Sequence, residues 1–254
     1  MITVKPEDGD YYSITEAVYK TFDTCEDIVV YPGTYDIKQE YRCFFKTTDI
    51  NNETNLGHDF QYGIRIKNRT VTFLPGAYVK CVWYFPTDFS AKFSPIYMGE
   101  NAKIYGLDLY AEGTEYAIHD DVWRSDIPYV NEYHYCRVTG KNLFAENCIG
   151  GGATKFSRFI IDNCYFNNGV KNGVTVRYHN TDYTDGQSDI WISNSYFNGK
   201  IAFTYYGTNS IMHARVNGCE AKAIEIKPET DESCHMNVIL ASWNNKLENG
   251  VIFK

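Results

Sequence analysis

Apolar residues alternate with polar ones in short runs along most of this 254-residue chain, and turn residues separate the runs. Six runs share one phrase. It reads IYGLDL from Ile104, YHYCRV from Tyr133, IDNCYF from Ile161, ISNSYF from Ile192, VNGCEA from Val216 and ILASWN from Ile239. The starts lie 29, 28, 31, 24 and 23 residues apart. Self-similarity at such a period predicts a stacked repeat. Each repeat is strand-like and has no helical stripe, so the stack is a coil of parallel β-strands.

Stacking places every register position in a column. The first column (Ile104, Tyr133, Ile161, Ile192, Val216, Ile239) is mostly β-branched aliphatic, as a core-facing strand requires. The third (Gly106, Tyr135, Asn163, Asn194, Gly218, Ala241) is rich in Gly and Asn and predicts a bend between strands. The fourth (Leu107, Cys136, Cys164, Ser195, Cys219, Ser242) offers small side chains for a tight corner. A second strand follows each phrase: YAIHDD from Tyr116, NCIGGG from Asn147, VTVRYH from Val174, IAFTYY from Ile201 and KAIEIK from Lys222. Its third position (Ile118, Ile149, Val176, Phe203, Ile224) predicts an inward ladder. Its fourth (His119, Gly150, Arg177, Thr204, Glu225) and sixth (Asp121, Gly152, His179, Tyr206, Lys227) then face outward. A one-residue slip would turn that whole row inward.

The first hundred residues repeat the plan less regularly, with strand, Pro-Gly turn and strand at Ile28 and again at Thr70. Ser13 to Phe22 reads as a helix, with Ser13 and Glu16 as a capping box and Ile14, Ala17, Val18 and Phe22 as its apolar face. Such a helix closes the open end of a solenoid, giving a cap over about residues 1–27. Residues 38–62 break the pattern and read as an irregular side loop. No linker divides residues 1–254, so one domain of roughly eight or nine coils is expected, at about 4.8 Å per coil.

Charge and composition narrow the partners. A formal net charge of -8 argues against nucleic acid. No signal peptide and no membrane-spanning stretch is read, so membrane insertion is not expected. The eight Cys form no CxxC and no disulfide framework, which fits reduced thiols in a protein made in the cytoplasm. Cys234-His235 lacks a second ligand pair, so no metal site is read. The 22 Tyr suit sugar rings, and they suit β-strands equally well.

The outward row holds the candidate chemistry. His119, Asp120 and Asp121 come from one coil, and Arg177 and His179 from two coils further on, roughly 10 Å away. Gly150, Gly151 and Gly152 lie between them and would form a bare floor for a ligand. Tyr206, Glu225 and Lys227 extend the wall. In a hydrolase, Asp120 or Asp121 would serve as acid or base with Glu225 as partner. In a lyase, Arg177 or His179 would take a proton α to a uronate carboxylate, and Asp120 and Asp121 would hold Ca²⁺. By alternation, Asp121 faces solvent better than Asp120.

The opening, ITVKPEDGDYYSITEAVYKTFDTCEDIVVYPGTYDI, resembles the cap and first coil of pectin-lyase-like parallel β-helix proteins. AIHDD, CIGGG, VRYHN and FTYYG resemble a group of β-helix proteins associated with phages and prophages of Gram-positive gut bacteria. The resemblance implies an all-β fold, a single-stranded right-handed parallel β-helix with an N-terminal capping helix. It also implies a homotrimer acting on the virion or outside the cell that binds, and in many cases cuts, a bacterial surface polysaccharide. The superfamily also includes free polysaccharide lyases, glycoside hydrolases and non-catalytic tail modules, among which fold does not choose. No pectate-lyase active-site motif is matched.

Overall fold

The computed structural model describes residues 1–46, 60–83, 92–120, 127–141, 147–151, 156–168, 173–180, 187–205, 210–228 and 236–254. They form three parallel sheets wound into a β-helix, in which each coil adds one strand to each sheet. Sheet A has nine strands and its later ones are Lys103–Tyr105, Tyr129–His134, Phe156–Asp162, Gln187–Ser193, Ser210–Asn217 and Met236–Trp243. Sheet B has eight and includes Asp108–Glu112, Arg137–Lys141, Tyr165–Asn168 and Lys246–Leu247. Sheet C also has eight, from Phe60–Ile66 to Val251–Phe253. This is the expected all-β, single-stranded parallel β-helix, and it carries two helices near its start.

The corner between sheets A and B explains the Gly/Asn column. Gly106, Tyr135, Asn163, Asn194 and Gly218 all have left-handed backbones, with φ of 71°, 56°, 51°, 51° and 64°. L-residues other than Gly and Asn rarely adopt that region. The next residue turns inward, so Leu107, Cys136, Cys164, Ser195 and Cys219 are buried. The Ser195 hydroxyl accepts from the Cys164 amide at 3.0 Å, which ties two coils at the bend. Burial pushes the Cys136 and Cys219 thiols up from their ordinary value. Beyond the corner Phe166 and Phe197 stack at 5.5 Å and 7° in the sheet B core.

The last coil departs from the expected register by three residues. Ser242, not Ile239, lies beside Val216, and the left-handed corner residue is Asn244 (φ 56°), not Ala241. Asn245 takes the fourth position, accepting from the Cys219 amide at 2.7 Å and donating to the Val216 carbonyl at 2.9 Å. Ile239 lies on the outer face and is 58 % exposed.

Two sheet C strands are also shifted, each by two residues. Asn147, not Ile149, lies in register with Val176, and Ile201, not Phe203, follows it. The file in register is therefore Ile96, Ile118, Asn147, Val176, Ile201, Ile224 and Val251, of which Ile96, Ile118, Val176, Ile201 and Ile224 are buried. Ile149 and Phe203 belong to the next file, with Asp120, Tyr178 and Ile226. A two-residue shift keeps every side chain on its face, so alternation alone cannot detect it. A bulge between Val174 and Val176 supplies part of the offset.

The cap helix α1 (Ile14–Lys20) lies inside the expected span. The Ser13 hydroxyl accepts from the Glu16 amide, and Ile14, Ala17 and Val18 are buried. At its other end the buried Arg69 guanidinium donates to the Thr21 hydroxyl at 2.8 Å and to the Thr21 carbonyl at 2.5 Å. A cation there complements the helix dipole. The expected irregular loop over 38–62 begins instead as a second helix, α2 (Ile37–Phe45), and residues 47–59 lie outside the described ones. Asp36 caps α2 by accepting from the Gln39 amide, and Ile37 and Tyr41 turn into the core. Tyr41 packs edge-on against Phe93 at 5.6 Å. Glu40 reaches back to α1 and accepts from the Ser13 hydroxyl and the Thr15 amide.

Candidate functional site

The expected sheet C row is only partly a surface. His119 and Arg177 do share one file, in the register Tyr97, His119, Cys148, Arg177, Ala202, Glu225. His119, however, is 3 % exposed, packed among Tyr62, Tyr97 and Tyr116 with ring centroids at 5.7, 5.9 and 5.2 Å. Arg177 donates to the Tyr116 hydroxyl at 3.5 Å and so joins the same aromatic cluster. Asp120 lies inside the coil and is fully buried, accepting from Asn131 Nδ2 at 2.7 Å and from the Tyr133 hydroxyl at 2.5 Å. Its carboxylate faces the core, where a polymer lying on the sheet cannot touch it.

Gly150 pairs with His179 and Gly151 with Asn180 along the backbone. Asp121, Gly152 and Tyr206 lie outside the described residues. Glu225 is 2 % exposed and holds Lys200 at 2.8 Å, Lys254 at 3.0 Å and Lys227 at 3.9 Å. Burial raises its pKa, but the Lys200 and Lys254 ammonium groups outweigh that and hold it below the usual value. Glu225 and Lys227 are thus bound up in an ion-pair cluster. Among the described residues no group of three or more His, Cys, Asp or Glu side chains is placed to hold a metal ion.

Sheet A presents a second outer face, which follows from the same alternation. Its inner file is Ile104, Tyr133, Ile161, Ile192 and Val216, all buried. The residues between must then face out. One outer file is Tyr105, His134, Asp162, Ser193, Asn217 and Trp243. The next is Lys103, Glu132, Ile160, Trp191, Arg215 and Ala241. A third carries Arg158, Asp189, His213 and Ile239.

These files are linked by short polar and aromatic contacts. His134 Nε2 lies 2.9 Å from Glu132, whose other oxygen holds Lys103 at 2.7 Å. The His134 ring stacks on Tyr105 at 4.7 Å and 10°. Asp162, beside His134 in the next coil, accepts from the Ser193 hydroxyl at 2.6 Å and from Asn194 at 3.1 Å. The Trp191 ring lies against Arg158 from the coil before it (4.7 Å) and Arg215 from the coil after it (5.1 Å). Asp189 pairs with Arg158 at 3.2 Å and lies 3.5 Å from His213.

Both acids beside His134 are tuned downward. Burial raises the Glu132 pKa, but Lys103 and His134 together bring it below 4.5. Burial likewise raises the Asp162 pKa, and the hydroxyl and amide donors of Ser193, Asn194 and Asn163 bring it below 3.8. A depressed carboxyl stabilises the fold above its unfolded pKa, and that contribution is lost as pH falls through the folded value. The double variant Glu132→Gln/Asp162→Asn is therefore expected to lose about 1–2 kcal/mol at pH 7. In urea melts its deficit should shrink steadily between about pH 4.5 and pH 2.5. A deficit independent of pH would show that the charges contribute nothing.

Chemically, this face offers hydroxyl-binding carboxylates, an imidazole poised between two of them, and guanidinium groups fixed on an indole. His134 is the group best placed to donate or relay a proton, because its ring nitrogen contacts Glu132 and Asp162 lies beside it in the next coil. Sequence reasoning about the second strand does not reach these residues. The signal lies one strand earlier, in the alternating polar letters of YVNEYH, FSRFIID, QSDIWIS and SIMHARVN. No protein-family model, no curated protein and no solved structure matches the chain.

Proposed function

We propose that the chain binds a linear bacterial surface polysaccharide laid along the outer face of sheet A, as the glycan-reading part of a phage-tail-type β-helix. One observation carries this reading. Adjacent outer files place His134, Glu132, Asp162, Trp191 and Arg215 on successive coils. The coil spacing of about 4.8 Å is close to the advance of one pyranose unit along an extended glycan. A polymer parallel to the coil axis would therefore meet one row of polar and aromatic groups per sugar. The parallel β-helix is consistent with tailspike and pectate-lyase-like architectures, and the sequence resemblance points to phage tails. The sheet C groove is less favoured, because His119 and Asp120 are buried there.

Cleavage is the second reading, favoured by the contact between His134 and Glu132. In that case His134 would deliver a proton to the glycosidic oxygen, and an ionised carboxylate would take one from water.

The test is to titrate the protein with purified capsular and wall polysaccharides, following heat and new reducing ends. One or more glycans should bind. Trp191→Ala and His134→Ala should each weaken that binding about tenfold or more. Unchanged affinity in both variants would remove the face from consideration. Reducing ends that appear with wild type, without the ultraviolet absorbance of an unsaturated uronate, and vanish with His134→Ala would establish hydrolysis.

A further inference from the structure

At the end of the same face Arg215, Ala241 and Trp243 come together on the last two strands of sheet A. Arg215 and Trp243 lie one coil and two residues apart, in register with Ala241 and Asn217 respectively. By strand spacing their Cα atoms are roughly 8 Å apart. Ala241 lies between Ile239 and Trp243 on the strand and directly beneath Arg215, so a methyl group floors the space. Trp243 is 46 % exposed and Ile239 58 %, both on the outer face of sheet A. Among the described residues no other ring stacks on Trp243. Exposed apolar groups gathered around a polar centre mark binding sites.

Arg215 differs from the other cations of this face. Lys103 is tied to Glu132 and Arg158 to Asp189. Among the described residues no carboxylate pairs with Arg215, and its guanidinium rests on the Trp191 ring at 5.1 Å. This contact with the ring face leaves the N–H groups of the fork to an anion, which can take them in bidentate fashion. An indole face beside it suits the apolar face of a sugar ring.

Resting on the glycan-binding reading above, we propose that Arg215 and Trp243 form a subsite for an anionic sugar unit, bearing a carboxylate or a phosphate. Trp243 takes the ring, Arg215 takes the anion, and Ala241 leaves the room.

The experiment uses the full chain and three probes: hyaluronan oligosaccharides for carboxylate, a poly(glycerol phosphate) teichoic acid for phosphate, and dextran as the neutral control. Binding is read by calorimetry and by tryptophan fluorescence. At least one acidic probe should bind more tightly than dextran, and which one binds decides between carboxylate and phosphate. Arg215→Gln should weaken that probe about 10- to 100-fold and leave dextran unaffected. Trp243→Ala should weaken the acidic probe, and Trp243→Phe should restore most of the affinity. Arg215 is exposed, so its variant is expected to fold, and an unchanged melting curve checks this. Dextran bound as well as the acidic probes, or an unaltered Arg215→Gln, would overturn the subsite while leaving the glycan face standing. If none of these probes nor any surface polysaccharide binds, both proposals fall.

Discussion

Asp120→Ala is expected to destabilise the protein by about 3–5 kcal/mol, with the loss read as a lower urea midpoint. Asp120 shares an inner file with the buried Tyr178 and Phe203 and is itself fully buried. Its two oxygens take the Asn131 amide and the Tyr133 hydroxyl from across the lumen. Asn131 in turn accepts from the Ala102 amide at 2.9 Å, so one network joins sheet C, sheet A and the turn ahead of a third strand. Removing the carboxylate leaves two buried donors without their acceptor at once. Asp120→Asn keeps the shape and one acceptor and should cost markedly less. A loss under about 1 kcal/mol for Asp120→Ala would mean that the network is dispensable.

Gly140→Ala should be at least as damaging, by about 3–5 kcal/mol, and is expected to lower the soluble yield. Gly140 has φ of 120°, and a methyl group there would lie 2.0 Å from the Ala111 carbonyl oxygen and 3.0 Å from the Ala111 nitrogen. These are backbone atoms of the preceding coil, paired in register with Gly140 itself. The clash cannot be relieved by turning a side chain, so the two coils must part locally. Gly218→Asn is the control. Its corner already carries Asn in three other coils, at Asn163, Asn194 and Asn244. The nearest atom to a new Cβ at Gly218 is the movable Asn194 Oδ1 at 3.0 Å. Equal stability losses for the two variants would refute the distinction between backbone and side-chain obstruction.

How far the sequence is legible depends on what each residue type is asked to do. The corner is plain to read because Gly106, Asn163, Asn194 and Gly218 answer a backbone demand that few other residues meet. Tyr135 meets the same demand against its preference, and only its place between Gly106 and Asn163 betrays it. The last coil misleads because Ile239 looks like an inward residue, whereas it lies on the outer face and Ser242 takes the inner place. The sheet C offsets stay hidden because shifts of two residues preserve alternation. Helix α2 does leave a trace: Asp36 can cap it, and Ile37, Tyr41 and Phe45 recur at a spacing of four. Of the candidate chemistry, His119 and Arg177 do share a file, as the repeat implies. No linear pattern shows that three tyrosines close over His119, or that Glu132, His134 and Asp162 meet one strand earlier.

The buried cysteines make the molecule its own recorder of unzipping. Cys81, Cys136, Cys164 and Cys219 belong to four different coils, whereas Cys43 stands in solvent on α2. An alkylating reagent would tag Cys43 at once and each of the others only when its own coil opens. Stacked repeats hold mainly to their neighbours, so terminal coils can fray while the middle stays shut. The order in which the four thiols are consumed would then trace the direction in which the staircase peels.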